Sequence, residues 1–366
     1  MLLNSIRLVN FRNYSEQELE LSEGINVITG ENAQGKTNLL EAVFLLSCGH
    51  GFRTRFDREL IFFGQDYARV TGEVLSAGRQ QSIDIKLSRG QRKQITLNNV
   101  KKNACELPET LRVVLFCPDD LNMIKEGARE RRRFMDMAIS QLRPGYGELL
   151  SEYTRLYESK RRILCDWREK PSLLDALEEY SDAMCRISAK LIRYRAAFTQ
   201  RLRQTAAPIH SDFSGSGEEL SVLYQTVSTV TDPFSSEKQL YDELCAHQRA
   251  HREAEIASGN VLTGIHKDDL EISINGAPAR QFASQGQTRT AALSLKMAER
   301  EISTQDTGET PILLLDDVLS ELDQKRQEFV LNRIGGGQTL ISCCEDEQIK
   351  SRTGGRVITV SSGRAK

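Results

Sequence analysis

The sequence predicts an α/β fold in which an open sheet with a β-rich lobe is interrupted by an inserted α-helical, coiled-coil-like hairpin. Three observations carry this. Residues 30–37 read Gly30-Glu31-Asn32-Ala33-Gln34-Gly35-Lys36-Thr37, between a strand-like and a helix-like segment. Residues 312–315 form an unbroken apolar run that ends on Asp316-Asp317. Between the two, Leu173, Leu177, Tyr180, Met184, Ile187, Leu191, Tyr194 and Phe198 alternate spacings of four and three, the rhythm of a coiled-coil seam.

Taken in order, Ile6–Phe11 alternates like an edge or half-buried strand, and residues 24–30 read as a strand entering a glycine-bounded loop. Residues 38–47 then have helical length and composition. Short strands follow at 67–74, 81–87 and 94–98, separated by turn residues. From 130 to about 204 the pattern is helical. A series from Tyr146 to Trp167 is followed by the heptad series, and Pro171-Ser172 breaks the two. An antiparallel pair with arms of about 35 Å is expected at 1.5 Å per residue.

Residues 211–235 read as a turn-rich return and 236–258 as a helix, and Asn275-Gly276 marks a hairpin turn. Helix is expected at 287–303 and 324–334 and strand at 312–316 and 338–342, while the closing Gly-Gly and Ser-Ser-Gly stretches carry no signal. Three segments result: a first part of the head (1–128), a helical insertion (129–260) and the rest of the head (261–366).

Composition bounds the rest. With 366 residues, 39% apolar and 27% charged, the chain is of ordinary globular type, large enough for two or three domains. Its longest apolar runs fall far short of the roughly 20 residues that span a bilayer. The N-terminal residues lack a signal-peptide layout, so the chain reads as cytoplasmic. Eight scattered cysteines without a CxxC pair imply reduced thiols. The one metal-like spacing, Cys245-x-His247-x3-His251, has no further Cys or His close in sequence and reads as structural. Net charge is −2, yet seventeen basic residues face eleven acidic ones between Arg129 and Arg203, a candidate phosphate-contacting face against a solvated helical surface.

The chemistry lies in three places. Gly30 and Gly35 let the backbone turn its N–H groups onto phosphates, Lys36 reaches the outer phosphate oxygens, and Thr37 offers a hydroxyl to Mg²⁺. This pattern calls for ATP. Asp316, leaving a buried strand at its carboxyl end, is placed to hold Mg²⁺, and Asp317 to orient or deprotonate an attacking water. Ser284-Gln285-Gly286-Gln287 opens a helix whose N-terminal N–H groups attract an anion.

In this order the motifs resemble the ATPase family that spans ABC transporters, SMC proteins and the recombination mediator RecF. The echoes cover nearly the whole chain: Leu8-Val-Asn-Phe-Arg-Asn-Tyr14, GENAQGKTNLLEA (30–42), Val114-Leu-Phe-Cys-Pro-Asp-Asp120, Arg131-Arg-Arg-Phe-Met-Asp136, Gly264-Ile-His-Lys-Asp-Asp269, Ser284–Gln287 and Leu313–Asp323. Asp316-Asp317, where transporter and SMC heads carry Asp-Glu, and Ser-Gln-Gly-Gln, where they carry LSGGQ-like residues, favour the RecF branch over a transporter subunit or an SMC-like chromosome-structuring protein.

The resemblance implies an ABC-type P-loop ATPase head working as an ATP-dependent homodimer, with Ser284, Gln285 and Gly286 of one copy closing over ATP held by the other. It also implies Arg12 near the phosphates and Ser320–Asp323 as the loop that communicates across the dimer. Slow, DNA-stimulated hydrolysis, DNA as ligand (duplex, gapped or a single-strand/double-strand junction), a nucleoid location and the mediators RecO and RecR as partners follow from it too. Ser342-Cys343-Cys344-Glu345 stands where transporters carry a γ-phosphate-sensing histidine, so no sensor is assigned. Asp119 or Asp120 is the positional counterpart of an inter-lobe glutamine, and His266 matches the family without an assigned role.

Overall fold

The structure is a computed structural model; it describes residues 1–54, 56–215, 217–344 and 354–366, with Glu321 described by its backbone alone. Along residues 1–121 run strands β1 (Leu2–Phe11), β2 (Tyr14–Glu20) and β3 (Ile25–Thr29), then helix α1 (Lys36–Cys48). Strands β4 (Tyr67–Ser76), β5 (Arg79–Ser88), β6 (Gln94–Leu97), β7 (Val100–Lys101) and β8 (Val113–Phe116) complete this stretch. Helices α2 (Asn122–Lys125), α3 (Ala128–Leu142), α4 (Pro144–Asp166) and α5 (Leu177–Ser214) follow, then β9 (Leu220–Gln225) and α6 (Glu237–Ser258). Next come β10 (Asp269–Ile274), β11 (Ala277–Pro278), α7 (Ala279–Phe282) and α8 (Gln285–Thr307). The chain closes with β12 (Ile312–Asp316), α9 (Gln324–Arg333), β13 (Thr339–Cys343), β14 (Arg356–Ser361) and β15 (Arg364–Ala365).

These elements form two compact units, Met1–Leu121 with Ala292–Lys366, and Asn122–Ala291. The first holds two six-stranded sheets, ordered β2-β1-β4-β5-β6-β7 and β15-β14-β3-β13-β12-β8. In the second sheet β8, β12, β13, β3 and β14 run parallel. Every residue of β12 and β13 is buried, as a central parallel strand covered on both faces requires. Leu313 pairs with Thr339 and Ile341 with Val27, which brings the ends of β3, β12 and β13 level. That alignment places the loop after β3 beside the carboxyl end of β12.

Strand β1 is interior, paired with β2 on one side and β4 on the other, where its alternation suggested an edge or half-buried strand. Its buried residues Leu3, Ile6, Leu8 and Phe11 break the period of two twice: the register shifts between Leu3 and Ser5, and Asn10, between Leu8 and Phe11, takes a positive φ of 50°. The Gln338 side chain spans this strand, accepting from the Leu3 amide and donating to the carbonyls of Leu3 and Ser22.

In the second unit α4 and α5 pack together and α6 packs on α5. The heptad seam is real at Leu177, Met184, Ile187, Leu191 and Phe198, which are all buried. The expected arm length is corrected for one helix: α5 has 38 residues, roughly 57 Å at 1.5 Å per residue, whereas α4 with 23 residues is about 35 Å. Pro208 sits inside α5 without ending it. The break falls in a short 3₁₀ segment at Pro171–Ala176, where Pro171 sets the first turn.

Two further readings are corrected. Residues 211–235 contain β9, which pairs antiparallel with β10 from Leu220↔Ile274 to Gln225↔Asp269. The closing residues form β14 and β15, a hairpin on the outer side of β3. Asn275-Gly276 makes the expected turn, both residues at positive φ (51° and 75°).

Candidate functional site

The phosphate loop lies between β3 and α1, in the strand-loop-helix context that its sequence demands. Gly30 (φ 150°) and Gly35 (φ 121°) hold conformations that strain any side chain: a methyl at Gly30 would also lie 2.2 Å from the Val360 carbonyl oxygen, and one at Gly35 2.6 Å from the side-chain Nδ2 of Asn13. Ala33 between them also takes a positive φ, 64°. Lys36 is buried, its Nζ donating to the carbonyls of Gly30 (2.7 Å) and Glu31 (2.9 Å), so the ammonium sits against the mouth of the loop. Glu31, Asn32 and Ala33 are exposed, as a ligand-facing rim must be.

Thr37 and Asp316, 279 positions apart, meet directly: Thr37 Oγ1 donates to Asp316 Oδ1 at 2.8 Å. Ser342 Oγ donates to the same oxygen at 2.8 Å and accepts from the Asp317 amide at 2.9 Å. Burial pushes the Asp316 carboxyl above the usual carboxylate range, and the hydroxyls of Thr37 and Ser342 pull it partly back. A hydroxyl and a carboxylate, both hard oxygen donors at the loop mouth, fit Mg²⁺, which takes one or two protein ligands and keeps the rest for water and phosphate. Asp317 is half-buried and held at φ 52°, an uncommon conformation that aspartate tolerates better than most residues. Its carbonyl accepts from Ser320 Oγ at 2.7 Å, and Asp323 caps α9 by accepting from the Arg326 amide.

Arg12 stands at the β1–β2 turn with φ 54°. Its Nε donates to Glu41 Oε2 at 2.7 Å and its Nη1 to the Glu59 carbonyl at 3.0 Å. Glu41 is fully buried on α1, so the helix that follows the loop also anchors this arginine. Glu41 was missed in the sequence, and its signal was an acid inside an otherwise apolar helix, which has to be paired. Asn13, Tyr14 and Ser342 were missed as well. The Tyr14 hydroxyl donates to the Gly35 carbonyl at 3.0 Å, and nothing in the sequence pattern marks that contact.

Ser284–Gln287 begins α8 within the second unit. Ser284 N donates to Gln287 Oε1 (2.8 Å) and Gln287 N to Ser284 Oγ (3.2 Å), a reciprocal capping box. Gln287 is tied further by its Nε2 to Glu218 Oε1 at 2.8 Å. Ser284 and Gln285 are exposed and Gly286 half-buried, so the N-terminal turn faces outward.

The remaining motifs are structural. Arg195 on α5 is buried and donates to Asp136, Tyr146, the Ile265 carbonyl and Asp268, the last at 2.6 Å. Arg131 makes a two-pronged bond to Asp269 at 2.6 and 2.9 Å. Lys160 and Glu255, both fully buried, pair at 2.8 Å. These three cations therefore leave the basic face expected between Arg129 and Arg203; Arg155, Arg161, Arg162, Arg186, Lys190 and Arg193 remain exposed on it.

His266 sits in the same core, its Nδ1 2.9 Å from the Tyr153 hydroxyl and its Nε2 3.2 Å from the Val261 carbonyl. Burial lowers its pKa to about 4. The His247 and His251 rings lie 4.2 Å apart, tilted by 35°, and among the described residues no group of three His, Cys, Asp or Glu could hold a metal ion. Asp120 Oδ2 caps its own turn by accepting from the Cys117 amide, while Asp119 is exposed. Cys344 Sγ approaches Asn32 Oδ1 at 3.0 Å; Glu345 lies outside the described residues. No described helix is long and apolar enough to cross a membrane.

Comparison with known proteins agrees with this fold. The family model for the RecF/RecN/SMC N-terminal domain matches residues 2–364. The chain is 37% identical to the DNA replication and repair protein RecF of Acetivibrio thermocellus, covering all of this chain and 99% of that one. Against RecF of Bacillus subtilis it is 37% identical over 96% of both. A solved structure of the recombination mediator RecF with ATP superposes with a TM-score of 0.92 at 33% identity, covering 100% of this chain and 96% of that one. The SMC head domain of Pyrococcus furiosus shares the fold at 17% identity and a TM-score of 0.57. A phosphate loop joined to a two-aspartate strand end, in a chain that aligns end to end with these relatives, places it in the RecF family of DNA replication and repair proteins, with the ABC-type ATPase head fold common to RecF and SMC proteins.

Proposed function

We propose that the chain is an ATP-controlled DNA-binding protein of recombinational repair and replication-fork maintenance that works as an ATP-dependent homodimer. Gly30–Thr37 and Arg12 hold the nucleotide phosphates, and Thr37 and Asp316 supply the oxygen ligands for Mg²⁺. Bound there, the ion would neutralise charge on the phosphates. Asp317 orients the water that attacks, its backbone fixed by Ser342 and Ser320. Ser284, Gln285 and Gly286 of a second copy cap the terminal phosphate with a helix N-terminus. ATP thus holds two copies together around duplex or gapped DNA, and slow, DNA-stimulated hydrolysis releases it. RecO and RecR are the partners that the family suggests for recombinase loading, and the nucleoid of the cytoplasm is the place.

The observation that carries this reading is the 2.8 Å contact between Thr37 and Asp316, which joins the two halves of a nucleotide site from far ends of the chain. It is tested by light scattering and DNA-binding anisotropy, with and without ATP, on wild type, Lys36→Arg and Asp317→Asn. Wild type should dimerise and bind DNA with ATP. Lys36→Arg should stay monomeric, and Asp317→Asn should persist as an ATP-bound dimer. Wild-type protein that remains monomeric and binds DNA equally with and without ATP overturns the proposal.

A further inference from the structure

We infer that the β14–β15 hairpin is a brace that aims the phosphate loop, making Gly363 a positioning residue for nucleotide affinity; this rests on the ATP-binding reading above. Strand β14 pairs in parallel with β3, the strand that enters the loop, with Ile358 opposite Ile28 and Thr359 opposite Thr29. The two backbones come so close at the loop entrance that Gly30 packs directly on the Val360 carbonyl. Beyond β14 the turn reaches the loop itself. Ser362 N donates to Gln34 Oε1 at 2.6 Å, and Gly363 N to the Gln34 carbonyl at 3.2 Å. That carbonyl also accepts from Asn13 Nδ2 at 2.8 Å.

A trans peptide unit is planar, so its C=O and N–H point opposite ways. Holding the Gln34 carbonyl against the hairpin and Asn13 therefore aims the Gly35 N–H the other way. Tyr14 does the same for the next unit, because its hydroxyl bonds the Gly35 carbonyl and so orients the Lys36 N–H. A phosphate cradle depends on successive N–H groups converging on the ligand. Groups on the outer side of the loop thus set how well its inner side binds.

Gly363 is the narrowest point of the brace. Its φ is 70°, and a methyl there would lie 2.2 Å from the Asn13 carbonyl oxygen, a backbone atom that cannot swing aside. A substitution must push the hairpin away from Gln34 or push Asn13 off its contacts with Gln34 and Asn38. The far end of the hairpin is pinned separately by Gln17, which donates to the Ala365 carbonyl (3.0 Å) and accepts from the Ala365 amide (2.8 Å).

The test measures Mg·ATP affinity by calorimetry with a slowly hydrolysed ATP analogue, steady-state ATPase kinetics, and melting without nucleotide, for Gly363→Ala, Gln34→Ala and the double variant. Loss of two hydrogen bonds to the loop should raise the Kd about tenfold in Gly363→Ala. KM for ATP should rise in step, with kcat at saturating ATP within about twofold. Because Gln34→Ala removes only the Ser362 contact, one of the two that Gly363→Ala breaks, the double variant should bind no worse than Gly363→Ala alone. A Kd for Gly363→Ala within twofold of wild type, or effects that multiply in the double variant, overturns the inference. Should Gly363→Ala not fold, Gln17→Ala, which loosens the hairpin without touching the loop, should raise the Kd about threefold, and an unchanged Kd overturns the inference. Wild type that binds no ATP would instead overturn the proposed function itself.

Discussion

Two polar clusters in this chain match family motifs equally well in sequence, and their environments separate them. Around Arg195 the charges are closed off. Asp268 accepts from Arg195, Tyr224 and Thr226, and Asp136 from Arg195 and Tyr146, so each acid is bonded several times over within the core. At the phosphate loop the carboxylate of Asp316 accepts, among the described residues, from hydroxyls alone, while Asp317 is half-open and strained. A network whose members satisfy one another specifies a fold, whereas a cluster that keeps hard donors and uncommon φ values at a strand end is arranged for something else to arrive.

Breaking the closed network should produce the largest effect. Arg195→Ala leaves the fully buried Asp268 and the half-buried Asp136 without their cation, a loss of about 3–5 kcal/mol. Urea unfolding followed by far-UV circular dichroism should show this; a shift below about 1 kcal/mol would mean that the network is as dispensable as a surface pair. The open cluster should respond in the opposite sense. Asp316→Asn removes a carboxylate that burial already penalises, so stability without nucleotide should hold or rise. The gain in ATP affinity conferred by Mg²⁺ should nevertheless vanish, a loss of roughly tenfold or more for a charged contact. Titrations with and without Mg²⁺ check this.

That contrast also explains what was legible in the sequence. The loop, β12 and the heptad seam were readable because each rests on a local pattern: a glycine spacing, an apolar run, a period of 3.5. Ser284–Gln287 was readable as a Ser/Gly turn that opens a helix. Most partners that give these groups their geometry were not readable, because Ser342, Asn13 and Gly363 reach the site through sheet register and turn geometry rather than spacing. Strand β9 hid for a related reason. Only Leu220 and Val222 of its residues are buried, too short an alternation to stand out from a turn-rich stretch. Arg131 and Lys160 misled in the other direction, since a basic run looks the same whether its members face solvent or a buried acid.

A smaller effect separates the core from the site by pH. Burial holds His266 neutral with a pKa of about 4, below the unfolded value of roughly 6.5, and the nearby cations Lys267 and Arg132 act in the same direction. Between those two values the unfolded chain binds more protons than the folded one, so stability rises with pH across that window. Lowering the pH from about 6.5 towards 4 should therefore cost on the order of 2–3 kcal/mol, with no change from this group above pH 7. In His266→Gln this slope should flatten. A variant that keeps the full wild-type slope would assign it to other groups.

The smallest expected change in stability sharpens the comparison most. Ser284 and Gln287 cap α8 by exchanging one hydrogen bond each, so replacing either with alanine should cost the helix about 1 kcal/mol. For folding, the two substitutions are near equivalents. For dimerisation they should differ, because Ser284 is exposed at the helix N-terminus whereas the Gln287 side chain is committed to Ser284 and Glu218. Ser284→Ala should abolish the ATP-dependent dimer in light scattering, while Gln287→Ala weakens it only as far as the cap frays. Equal losses would make Ser284 a helix cap and nothing more, and would place it with the closed network rather than with the open cluster.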